Sequence, residues 1–172
     1  MNSVQINPIY DDATKLTKIY QSYSNTFPED ERRDESGFWA LVKEERALIC
    51  DILNDGNAVG YIVLWDLSSC LFVEHFEIYT SFRNQNFGFQ VLDYLKSKFP
   101  LVVLESEPEN LGELASRRLN FYQRNGFVIL DKNYIQPAYS KGKMPVNMCL
   151  LGTYMPDDLL LVIEEIRDIV YK

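Results

Sequence analysis

The stretch Ile78-Tyr79-Thr80-Ser81-Phe82-Arg83-Asn84-Gln85-Asn86-Phe87-Gly88-Phe89 joins an apolar, β-rich run to a helical stripe. Strand, glycine-containing turn and helix start follow one another without a gap. At such a junction several backbone N–H groups and the positive end of the helix dipole point at one spot, which suits an anion and phosphate above all. Phe87, Val91, Leu92, Leu95 and Phe99 recur at the spacing of an amphipathic helix, and Pro100 stops it. Beyond it, residues 101–105 read as a short apolar strand, so strand, helix and strand form a βαβ unit.

Upstream, residues 46–53 and 58–67 are β-rich runs joined by Asp55-Gly56-Asn57, a hairpin signal, and residues 71–80 follow at once. These three runs predict an antiparallel meander. Before them, residues 4–9 are extended, and Ala13, Leu16, Ile19, Tyr20 and Tyr23 mark a helix. Residues 27–34 are a charged loop leading to a second short helix at 36–43.

Downstream, Ala115, Leu119 and Tyr122 repeat at helical spacing, and Asn125-Gly126 closes that helix as a left-handed cap does. Residues 127–130 start a strand, 134–144 form a long excursion, and 145–151 are the last strand. An amphipathic helix over 157–171 carries Leu160, Ile163, Ile166 and Val170 on one side, with Asp157 and Asp158 at the positive end of its dipole. Nothing repeats and no linker interrupts the pattern, so residues 1–172 read as one domain.

Composition narrows the function classes. Of 172 residues, 47% are hydrophobic and 24% charged, the balance of a globular chain. No apolar run approaches the ~20 residues of a membrane span. The first residues carry neither a basic start nor an apolar run, so the expected location is cytoplasmic. Cys50, Cys70 and Cys149 are odd in number and set in apolar runs, which predicts buried thiols and no metal site. Seventeen Lys and Arg against 25 Asp and Glu give a net charge of −8 with no basic stripe. That argues against nucleic acid and favours a cationic substrate.

Arg83, Asn86 and Gly88 resemble the acyl-CoA-binding loop of the GNAT superfamily of N-acyltransferases, whose pattern is Arg or Gln, two residues, Gly, one residue, then Gly or Ala. Asn86 stands at the first glycine, and Asn is the residue that next most readily takes positive φ. Residues 115–127, with Phe121-Tyr122 and Gly126-Phe127, look like the second hallmark of that family. Residues 73–78 are similar to its fourth strand. The resemblance covers roughly residues 3–151 and implies an α+β (mixed α/β) fold, a central mixed sheet of about seven strands flanked by helices. The C-terminal helix is extra to it.

The resemblance also implies that Ile78, Arg83, Asn84, Gln85, Asn86, Phe87, Gly88 and Phe89 hold acetyl-CoA, with its pantetheine arm between the two splayed parallel strands. Transfer of an acetyl group to a primary amine by direct attack needs a base for the ammonium and an acid for the leaving thiolate. Tyr122 matches the family's general acid. Glu74 and Glu105 are the two candidate bases, since a partly desolvated carboxylate there would have its pKa raised. Strict alternation places Glu74 with Phe72, Phe76 and Ile78, and places Val73, His75 and Glu77 on the other face. His75 is a candidate proton relay. Glu31 and Arg32 in the first inter-helix loop, with Tyr139, fall where the family builds its acceptor pocket. The acceptor is a small-molecule or peptide amine whose identity fold alone does not name. Two other readings stand beside this one: a protein of the same fold that binds CoA without catalysis, and an interaction protein whose last helix docks a partner or a second copy as a homodimer.

Overall fold

The structure, a computed structural model, describes residues 4–172. Residue 3, where the expected core begins, lies outside the described residues. The chain runs β1 (Gln5–Pro8), α1 (Ala13–Thr26), α2 (Glu35–Leu41), β2 (Ala47–Asn54), β3 (Asn57–Asp66), β4 (Leu71–Ile78), α3 (Phe87–Lys98), β5 (Val102–Ser106), α4 (Glu113–Arg124), β6 (Val128–Gln136), β7 (Val146–Gly152) and α5 (Leu159–Val170), with 3-10 turns at Glu29–Glu31, Thr80–Phe82 and Glu109–Leu111. All seven strands form one mixed sheet in the order β1-β2-β3-β4-β5-β7-β6. Only β4 and β5 are parallel neighbours. This is the α+β architecture read from the sequence.

Local chemistry explains the elements. Asp55 and Gly56 both take positive φ, 49° and 78°, the geometry that a two-residue turn needs to match strand twist in the β2–β3 hairpin. Asp12, Asp34 and Asp158 cap α1, α2 and α5 by accepting from Lys15, Gly37 and Leu161 N–H groups. Two apolar layers sandwich the sheet. One face packs Leu16, Ile19 and Tyr23 of α1, Phe38 of α2 and Val162, Ile166 and Val170 of α5 against Trp65, Phe72, Val103 and Leu150. The other packs Val91, Leu92 and Leu95 of α3 and Leu119 and Tyr122 of α4 against Ile62, Val73, Leu104 and Leu151. Among the described residues no helix is long and apolar enough to cross a membrane. The three cysteines are buried and free.

Three details differ from the sequence reading. First, β6 runs to Gln136, so the excursion is shorter than residues 134–144. Its register against β7 shifts between Ile129 and Asp131 and again before Tyr134, which erases the two-residue alternation that would reveal a strand. Second, Leu160 is 64% exposed, and the buried stripe of α5 is Val162, Ile166 and Val170, with Leu159 and Ile163 partly covered. Third, β4 is not a regular strand. Val63 pairs with His75 and Leu64 with Val73, so Glu74 is the extra residue of a bulge. Past the bulge the faces exchange: Glu74, His75 and Glu77 all turn toward α1 and α5, while Phe76 and Ile78 turn toward α3 and α4.

Candidate active site

Parallel pairing between β4 and β5 ends at Val73 and Leu104, yet both strands continue. The gap opens into a cleft of about 700 Å³ that reaches both faces of the sheet. Phe87, Gly88, Phe121 and Tyr122 bound it on the α3–α4 side, and Phe27, Glu31, Gln136 and Met148 on the other.

The α3 side is built for an anion. Asn84 and Asn86 both take left-handed backbone, φ 61° and 68°, and Asn86 precedes the first turn of α3 without placing its side chain over that turn's N–H groups. A helix start without a side-chain cap keeps those N–H groups available to an anion. Arg83 ties its Nε to the Ile78 carbonyl at 3.0 Å and leaves half its side chain exposed to the cleft. Ile78, Asn84, Asn86, Phe87, Gly88 and Phe89 also line the cleft. Gln85 does not; it donates to the Ser81 carbonyl and braces the turn. Gly88 has a packing role, because a Cβ there would lie 3.0 Å from the Phe121 ring, which would have to shift by a few tenths of an ångström to admit it. Arg117 and Arg118 also line the cleft, paired with Glu113 and Glu107.

Tyr122 is buried against Phe121 and Phe127. Burial raises its phenol pKa, against the opposing pull of Arg118, so the hydroxyl stays protonated and can only give up its proton to a strong base. Glu105, on β5, lines the opposite side of the gap. Burial pushes its carboxyl up to about 7, although the phenols of Tyr171 and Tyr134 favour its charged form. Tyr171 donates to Oε2 at 2.6 Å. Oε1 makes no hydrogen bond of ordinary geometry, even with the Tyr134 phenol beside it.

Glu74 is placed differently from a base. Its side chain has no exposed surface; Arg33 Nε lies 2.8 Å from Oε1, and Trp65 Nε1 donates to Oε2 at 2.5 Å. Burial alone would raise this carboxyl, but Arg33, His75 and Trp65 hold it below the ordinary carboxylate value. Both oxygens are committed. Of the two expected bases, the geometry therefore favours Glu105.

His75 is likewise spoken for. Its Nε2 donates to the Glu31 carbonyl at 2.9 Å, its Nδ1 makes no hydrogen bond, and burial, against the pull of Glu74, lowers its pKa, so the ring is neutral. It anchors the Glu31 turn rather than relaying protons. Glu31 itself faces the cleft and an adjoining pocket of about 370 Å³. Burial and the nearby Glu107 raise it to about 7, with Arg118 opposing. Arg32 and Tyr139 are not at the cleft. Arg32 donates Nε to the Phe27 carbonyl and closes its own loop. Tyr139 lies behind the site, 4.9 Å from the Tyr171 ring and 5.1 Å from the Arg33 guanidinium.

Trp65, Tyr134 and Tyr171 escaped the sequence reading, and so did the pairing of Arg33 with Glu74. Arg33 sits in the run read only as a charged loop, and Tyr171 directly follows a helix read only for its aliphatic stripe.

A two-faced opening between parting parallel strands, with a helix N-terminus on one side, is the arrangement that the resemblance implied. The Acetyltransferase (GNAT) family model matches residues 14–127. The chain belongs to the GNAT acetyltransferase family. Protein YjbC of Bacillus subtilis (strain 168), named by inference as an acetyltransferase, is 29% identical over 110 residues, 63% of this chain. The chain spans 55% of that protein's length. A GNAT-family protein of Bacteroides thetaiotaomicron, also named by inference as an acetyltransferase, superposes with a TM-score of 0.88 at 29% identity, covering 97% of this chain and 98% of that one. A GNAT acetyltransferase from Elizabethkingia anophelis, solved with acetyl-CoA bound, shares the fold at 18% identity and a TM-score of 0.59, covering 90% of this chain and 100% of that one.

Proposed function

We propose that this GNAT chain transfers the acetyl group of acetyl-CoA to a cationic primary amine by direct attack, with Glu105 as general base and Tyr122 as general acid. The single observation that carries the reading is the passage through the sheet where β4 and β5 part, with Tyr122 on one side and Glu105 on the other. Each substrate would enter from its own face.

The residues present fit acetyl-CoA. The uncapped N–H groups at the start of α3, the left-handed Asn84 and Asn86, and the Arg83 guanidinium would hold its phosphates, and the fold neighbour from Elizabethkingia anophelis is a GNAT protein with acetyl-CoA bound. The bound thioester supplies an activated acyl group. Everything else is the chain's own work. Glu31, Glu107 and Glu113 against Arg118 alone leave the lining of the acceptor mouth net negative, which would draw in an ammonium group. Glu105, poised near neutrality, takes the proton that the amine must lose before it can attack. Tyr122, kept protonated by burial, gives its proton to the departing sulfur.

The test is release of free thiol from acetyl-CoA across a panel of peptide N-termini, lysine and alkyl diamines, with acetylated product confirmed by mass. Amine-dependent release that falls at least a hundredfold in Glu105→Gln supports the reading. Acetyl-CoA binding without release on any amine would leave a CoA-binding module in its place.

A further inference from the structure

We infer that Tyr171 is a positioning residue for the acyl transfer: its hydroxyl fixes the Glu105 carboxylate in the cleft, so that α5, outside the family core, completes the active site. The inference rests on Glu105 being the base.

Three contacts deliver Tyr171. Val162, Ile166 and Val170 sink one side of α5 into the core beneath the sheet. Arg33 Nη2 then donates to the Val170 carbonyl at 2.7 Å, the residue just before Tyr171. The Tyr171 ring packs 4.9 Å from Tyr139, and its hydroxyl donates to Glu105 Oε2 at 2.6 Å. Arg33 is the same residue that neutralises Glu74, so one guanidinium ties the bulge of β4 to the end of α5.

The groups facing Glu105 come from four elements. Glu74 on β4 and Glu31 in the first 3-10 turn are like charges that favour its neutral form; Tyr134 on β6 and Tyr171 after α5 favour the charged form. Glu74 is compensated by Arg33. Burial and the neighbouring Glu105 keep the Tyr171 phenol protonated far above its ordinary value, so it remains a donor at every working pH. A donor to an ionised carboxylate both stabilises the charge and fixes its orientation. Loss of one such bond moves a carboxyl by about one pH unit.

The experiment is a pH titration of the full chain carrying ¹³C-labelled glutamate carboxyls, with the Glu105 resonance assigned by its loss in Glu105→Gln. Tyr171→Phe keeps the ring and removes only the donor. Its Glu105 midpoint should move up by about one unit from near 7. In the thiol-release assay the acid limb of kcat should move with it, giving about a fivefold loss at pH 7 and almost none at pH 9, while Glu31→Gln, which removes a like charge, should move the limb the other way. A Tyr171→Phe midpoint that stays in place, or a loss of rate equal at all pH values, overturns the inference. Glu105→Gln with undiminished turnover instead overturns the base assignment beneath it.

Discussion

Arg33 holds its Nε 2.8 Å from Glu74 Oε1 in a pair whose carboxylate has no exposed surface, with Trp65 and Tyr139 rings flanking the guanidinium at 5.6 and 5.1 Å. The pair welds the α1–α2 loop to the bulge of β4 and makes Glu74 a structural group. Arg33→Met should therefore lower stability by about 3–5 kcal/mol, since it leaves a buried charge unpaired. The double variant Arg33→Met, Glu74→Leu should recover much of that loss in urea melts. Glu74→Gln should keep most of the turnover at temperatures where it is folded; a catalytic base would not.

Glu105 links stability to pH in a defined direction. Its folded value of about 7 lies above its ordinary 4.5, so the folded state holds the proton more tightly. The stabilisation is complete below about 4.5 and is lost as pH rises through 7. Glu105→Gln should thus gain on the order of 2 kcal/mol relative to the native chain between pH 5 and pH 8. Urea midpoints at the two pH values check this, and a constant difference would count against a raised carboxyl.

Asn86 bears on cofactor affinity through its backbone. At φ 68°, glycine is free of strain and a β-branched residue is not. Calorimetric titration of acetyl-CoA should give Asn86→Gly within about twofold of the native Kd and Asn86→Val about tenfold weaker, the equivalent of a 1–2 kcal/mol backbone cost.

Glu31 lines the smaller pocket, which no residue of the α3 loop lines and which is the proposed acceptor mouth. Charge reversal, Glu31→Lys, should raise the acceptor KM at least tenfold and the acetyl-CoA KM by less than twofold. Equal changes in steady-state kinetics would remove Glu31 from the acceptor pocket.

Legibility in the sequence followed the range of the interactions. The α3 loop was readable because its signals are local: an apolar strand end, Arg83, two asparagines able to take positive φ, and a stripe beginning at Phe87. The hairpin at Asp55-Gly56 was readable for the same reason. Alternation failed at Glu74 because a bulge depends on the register of β3, which no window within β4 reveals. It failed again in β6, where two register shifts break the period. Glu31, Glu105 and Tyr122 were named and line the cleft, whereas Arg32 and Tyr139 were named and lie behind it. The partners that decide between Glu74 and Glu105 are distant in the chain, Arg33 41 residues from Glu74 and Tyr171 66 residues from Glu105. A charged loop and a helix end give no sign of such pairings until the sheet brings them together.

The most direct test of the account is the turnover of Tyr122→Phe in the amine-dependent thiol-release assay, with acetyl-CoA saturating. Removal of one hydroxyl that touches no other group's hydrogen bonding should lower kcat by about a hundredfold, the range expected for losing a general acid. Turnover equal to that of the native chain would contradict transfer across this cleft by Tyr122 and Glu105.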